Sequence, residues 1–148
     1  MNEKLTRREA RENAFKAVFA SSFNIGESAE LEIPTDMEDC ELDAFGLELV
    51  EQYRLHSAEI DEMISAHLKK GWSLQRLPRV SLTALRLAIA EMVYGKENLV
   101  SVAINEAVEL AKIFGGDDEY QFVNGVLGTI ARELPYAQEA PVSEDGQE

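Results

Sequence analysis

Ser101-Val-Ala-Ile-Asn-Glu-Ala-Val-Glu-Leu-Ala-Lys-Ile-Phe-Gly-Gly-Asp-Asp-Glu-Tyr-Gln-Phe-Val-Asn-Gly-Val-Leu127 is the stretch on which the fold turns. Ala103, Ile104, Ala107, Val108, Ala111 and Phe114 recur at the three-and-four spacing that lays one apolar face along a helix. Gly115-Gly116 ends that helix. Asp118, with Gln121 three residues on, reads as a capping box that opens another helix. Phe122, Val123, Val126, Leu127, Ile130 and Leu134 carry it to Pro135, which stops it.

The same period runs back to the start. Ser81 caps a helix whose stripe is Leu82, Leu85, Ile89, Met92 and Val93, with a short linker helix on the other side of Pro78. Upstream, Ile60, Met63 and Ile64 mark a helix ending at Lys69, Lys70 and a left-handed Gly71. Leu42, Phe45, Leu49 and Tyr53 mark the helix before it. Thr6-Arg-Arg-Glu9 is a capping box for a first helix through Ala10, Ala14, Phe15, Val18 and Phe19 towards Phe23. No alternating run with hairpin turns is present, so the expected class is all-α. Residues 1–135 are expected to form a single helical domain, interrupted by an acidic loop at about 25–40 and followed by an acidic, disordered tail at 136–148.

A chain of 148 residues with 28 acids against 14 lysines and arginines carries a net charge of −14, which argues against nucleic acid until its distribution is seen. Ten acids and no base lie between Lys16 and Arg54, and five acids and no base follow Arg132. The rest of the chain is close to neutral, and its opening turns are basic. The lone Cys40 excludes an internal disulfide. No apolar run follows the charged opening residues and no stretch approaches a bilayer's thickness, so a cytoplasmic location without membrane contact is expected.

The first helix carries a conflict. At about 100° per residue, Lys4, Arg7, Arg8 and Arg11 share an arc with Phe15, Val18 and Phe19. Burying that whole arc would strand cations without partners, so the aromatic half is expected to dock and the basic half to extend past the body. Cations beside aromatic rings suit single-stranded RNA, whose phosphates take guanidinium groups and whose bases stack. An ordinary solvated helix end would show the same charge pattern.

Phe114 and Phe122 flank the glycine pair and supply a second aromatic element, beside helix-start N–H groups that attract phosphate. Both rings could equally pack in the core, with Asp118 only a cap. Asp117, Asp118 and Glu119 lack the alternation of a calcium loop, and His56 and His67, eleven apart, have no third ligand, so no metal is expected. Trp72 is expected in the core. Asn105 and Asn124 read better as buried amides tying helices together than as RNA contacts.

Three stretches resemble the NusB family: Thr6-Arg-Arg-Glu-Ala-Arg-Glu12; Trp72-Ser-Leu74 through Leu85-Arg-Leu-Ala-Ile-Ala-Glu91; and Val102-Ala-Ile-Asn-Glu-Ala-Val-Glu-Leu-Ala-Lys112 through Phe122-Val-Asn-Gly-Val-Leu127. The resemblance implies about seven helices in two packed three-helix subdomains. It implies a transcription antitermination factor that binds the boxA sequence of ribosomal RNA transcripts, pairs with the small-subunit ribosomal protein NusE and acts on RNA polymerase, without a cofactor. Carried over by position, RNA-facing residues are Arg7, Arg8, Arg11, Phe19, Phe114, Asp118 and Phe122, and the partner surface lies around Arg79 and Ser81. Phe19 stands where a tyrosine is common, Ser81 where an acid often appears, and Gln121 where a base is frequent.

Two other classes remain to be weighed. An enzyme would need a phosphate loop, dinucleotide glycines, a nucleophile elbow or a metal set, and the sequence has none. A helical module that binds only proteins is the second class, and the acidic loop and tail are open to either role, as contacts for a protein or as a charge that repels nucleic acid and sharpens selectivity. A second copy could also cover the basic arm, so a homodimer stays open.

Overall fold

The computed structural model describes residues 5–22, 41–96 and 99–134. Lys4, Phe23, the acidic loop with Cys40, Pro135 and the tail lie outside the described residues. Among those described there are six α-helices, one 3-10 turn at Leu74–Arg76 and no strand. The helices are α1 (Arg7–Ser21), α2 (Ala44–Leu55), α3 (Ser57–Ala66), α4 (Arg79–Tyr94), α5 (Val100–Phe114) and α6 (Asp117–Arg132).

Local chemistry sets several of their ends. Glu9 N–H donates to Thr6 Oγ1 at 3.0 Å while Thr6 N–H donates to Glu9 Oε1 at 2.9 Å, so α1 opens on the expected capping box. Asp43 caps α2 by accepting from Gly46 N–H at 2.8 Å. Gly71 takes φ +91°, the left-handed conformation that favours glycine. Helix α3 has already ended at Ala66, so Lys69 and Lys70 lie in the turn beyond it.

Two caps differ from expectation. Helix α4 begins at Arg79 behind Pro78, and Ser81 sits inside it rather than at its cap. Helix α6 begins at Asp117 with Gly116 as its cap, where Glu119 rather than Gln121 reaches back to the Gly116 N–H at 3.2 Å. The helix starts earlier than expected, so its third residue is Glu119 and not Gln121, and a carboxylate at that position accepts strongly from the cap N–H.

Helix α4 is central. It packs against each of the other five, and ten of its residues are buried. Its apolar side chains run all round rather than along one stripe, as an enclosed helix requires. The group α1–α3 and the α4–α6 group share one apolar cluster, with Phe15, Val18, Leu49, Ile60 and Ile64 meeting Leu85, Ile89, Met92, Val123, Leu127 and Ile130. No helix of the described residues is long and apolar enough to cross a membrane.

Candidate nucleic-acid interface

Two pairs of contacts give the helix directions around the basic end. Arg8 meets Glu106 and Phe15 meets Phe114, so α1 and α5 run parallel. Arg11 meets Glu91 near the end of α4 while Arg79, at its start, donates to the carbonyl of Ser22, so α1 and α4 run antiparallel. Seven residues separate Arg8 from Phe15, about 10 Å along the axis. The outward cations and the late-chain ring therefore lie along one α1–α5 seam.

The three arginines of α1 have different fates. Arg7 is exposed, its guanidinium 4.0 Å from the centroid of the Phe45 ring, a cation–π contact with no carboxylate partner among the described residues. It borders a groove of about 220 Å³, lined also by Phe45, Lys96 and Leu99. Arg8 is exposed and forks onto Glu106, Nε to Oε1 at 3.1 Å and Nη2 to Oε2 at 3.0 Å. That hydrogen bond lowers the Glu106 pKa from its ordinary 4.5 and raises that of Arg8.

Arg11 departs from the expected exposed face. It is only 7% exposed and forks onto Glu91 at 2.9 and 2.6 Å. Docking along α4 carries the third arginine into the interior, and Glu91 supplies the countercharge that local periodicity could not reveal. Glu91, Glu106 and Phe45 are the neighbours that the sequence reading missed. One signal was present: Glu91 is an acid inside the otherwise apolar run from Leu87 to Val93, where a carboxylate needs a partner.

At the other end of the seam three rings stack. Phe15 is buried between Phe19 at 5.9 Å and Phe114 at 5.1 Å, with interplanar angles of 10° and 11°. Phe19 is half-buried and spends one face on Phe15, whereas Phe114 is 37% exposed. Phe122 is half-buried against the core, and Asp118 is exposed in the first turn of α6. That turn carries Asp117, Asp118 and Glu119, so its own carboxylates oppose phosphate at this helix start. Base N–H groups and ribose hydroxyls, which donate, fit Asp118 better.

The expected partner surface is divided. Arg79 is exposed, although its guanidinium is bonded to Ser22. Ser81 is fully buried and donates to Glu119 Oε1 at 2.9 Å, so it ties α4 to α6 and presents nothing to a partner. Asn105 and Asn124, expected inside, are both exposed, and so is Trp72, at 54%. Each histidine has a packing role. His56 stacks on Tyr94 at 3.7 Å, and His67 bridges the Met63 carbonyl and Glu133.

Comparison with known proteins bears on this arrangement. The profile of the NusB family matches residues 8–132. The transcription antitermination protein NusB of Bacillus velezensis is 42% identical over 131 residues, 88% of this chain and 98% of that one. The structure of T. maritima NusB superposes with a TM-score of 0.77 at 35% identity, covering 93% of this chain and all of the other. A structure of the antitermination factors NusB and NusE in complex with double-stranded RNA gives a TM-score of 0.69 at 28% identity, over 86% and 97% of the two chains.

Proposed function

The chain belongs to the NusB family, and from that premise we propose that it is a transcription antitermination factor which holds boxA-type single-stranded RNA of ribosomal transcripts together with NusE and supports read-through by RNA polymerase in the cytoplasm. The observation that carries the RNA site is the seam. Arg7 and Arg8 face outward, and Phe114 offers ring surface about two helical turns along. Arg7 and Arg8 take phosphates; Phe114 stacks an unpaired base; Asp118 accepts from base or ribose donors. Stacking demands unpaired bases, so single-stranded RNA suits this face better than the duplex of the related complex. Arg11 contributes by holding α1 in place, Phe19 by packing on the Phe15 ring that backs Phe114, and Phe122 by anchoring the start of α6 to the core. NusE is assigned to the start of α4 around the exposed Arg79, without Ser81. No bond is made or broken, and no cofactor is required.

Fluorescence anisotropy with a labelled boxA-type RNA tests the reading. Phe114→Ala is expected to weaken binding roughly 5- to 150-fold, the cost of losing one stacked base at about 1–3 kcal/mol. Arg7→Ala is expected to reduce the slope of log affinity against log salt by about 0.7, one single-strand phosphate contact. Single-stranded RNA should bind more tightly than the same sequence as duplex. Affinity untouched by both substitutions would favour a helical module that binds only proteins.

A further inference from the structure

Between Met63 and Ala90 the chain has five cations and no acid, in a protein whose net charge is −14. Four of these cations, Lys69, Lys70, Arg76 and Arg79, fall in or beside the turn joining α3 to α4. All four are exposed, as is Trp72 among them at 54%. Lys69, Lys70 and Arg76 have no carboxylate partner among the described residues. A large ring left in water, with unpaired cations before and after it in the same turn, is not explained by the core, which closes without it.

We propose that Lys69, Lys70, Trp72 and Arg76 form a second RNA contact, taking the phosphates and one unpaired base of a segment flanking that held at the α1–α5 seam. The proposal rests on the RNA-binding reading above and extends its path. The turn leads into α4, whose start is fastened to the end of α1 through Arg79 and Ser22, and to the start of α6 through Ser81 and Glu119. It therefore leads to the end of the molecule that carries Phe19, Phe114 and Asp118. Tryptophan and arginine suit a protein interface as well as RNA, so the two lysines decide: lysine is depleted at protein interfaces but follows the backbone in single-strand sites beside a stacking ring. A competing polyanion lies within the chain itself. Residues 135–148 carry Glu139, Glu144, Asp145 and Glu148 with no base, and they follow α6, whose Glu133 is bonded to His67 at the end of α3.

Trp72 is the sole tryptophan, so its emission reports on this patch alone. The full chain is titrated with a boxA-type RNA and with the same RNA lengthened at both ends by unpaired uridines. Both are expected to bind by anisotropy, but only the longer should quench Trp72, bind more tightly and show the steeper salt dependence. Lys69→Gln with Lys70→Gln should lower that slope by about 1.4, two single-strand phosphates, and move the affinity of the longer RNA towards that of the shorter. If the short RNA binds and the longer adds neither affinity nor quenching, the patch is refuted while the seam stands. If neither binds, both fall. If Trp72 emission instead shifts when Glu139→Gln, Glu144→Gln, Asp145→Asn and Glu148→Gln are combined without RNA, the acidic tail occupies the patch and the proposal is overturned. A response to NusE and not to RNA would overturn it in favour of a protein contact.

Discussion

Arg8 has two anions to choose between, the carboxylate it already holds and the phosphate it is positioned to take. Its side chain is 60% exposed, so water screens the pair and the carboxylate holds it only weakly. Glu106 therefore taxes RNA binding by a modest factor, and Glu106→Gln should tighten it roughly 1.5- to 5-fold, measured by anisotropy at low salt. The same pair has a signature in pH. Because Arg8 holds Glu106 below 4.5, the pair stabilises the fold above that value and releases as pH falls through the depressed midpoint. Carboxyl NMR of Glu106 should show that midpoint rising towards 4.5 in Arg8→Ala. Arg11 behaves otherwise. With both side chains of the Arg11–Glu91 pair 9% exposed, Arg11→Ala leaves a buried charge behind, at about 3–5 kcal/mol, and is expected to appear in thermal unfolding. Arg11→Met with Glu91→Leu should restore most of that stability and keep RNA affinity, which would separate a scaffold arginine from a binding one. The clustering of these arginines was legible from helical periodicity. Which of them would be buried was not, since the answer depends on a carboxylate eighty residues away.

At the scale of elements, sequence chemistry reads well where the cap is local and poorly where the competitor for a bond comes from another helix. Thr6 with Glu9, and Gly71, needed nothing beyond their neighbours. Ser81 looked like a cap because serine usually is one. Pro78 starts α4 earlier, and Glu119 on α6 claims the hydroxyl instead. Trp72 was expected inside because it is large and aromatic, yet the turn after Gly71 holds it clear of a core already filled by leucine, isoleucine and methionine. The joint between α5 and α6 is closely packed. A Cβ on Gly115 would stand 2.8 Å from Glu119 Oε1 and 2.9 Å from the Ala111 carbonyl. Gly115→Ala should push Glu119 away from both Ser81 and Gly116, costing about 1–3 kcal/mol for the strained or broken bonds. The expected readout is a melting temperature lower by several degrees, with Phe114 no longer aligned on Phe15.

For the whole molecule, the RNA seam is built from α1 and α5, both packed on the α4 that carries the partner surface, so each ligand should bias the other. RNA tightened by NusE must tighten NusE by the same factor, typically 5- to 150-fold. Paired titrations in which only one affinity responds would show that the two do not bind one common state. The charge layout adds a second expectation. The body is close to neutral once the acidic loop and tail are set aside, so RNA affinity should follow the few exposed cations and not the net charge of −14. The central position of α4 reaches further. A helix that touches all its neighbours has no way to loosen without the rest, so its amide hydrogens around Leu85 and Ile89 should exchange with solvent only when the entire chain opens. Saturating RNA at a surface well away from those amides would then slow their exchange about 100-fold at a ligand concentration one hundred times Kd, and the middle of the protein would act as a gauge for events on its skin.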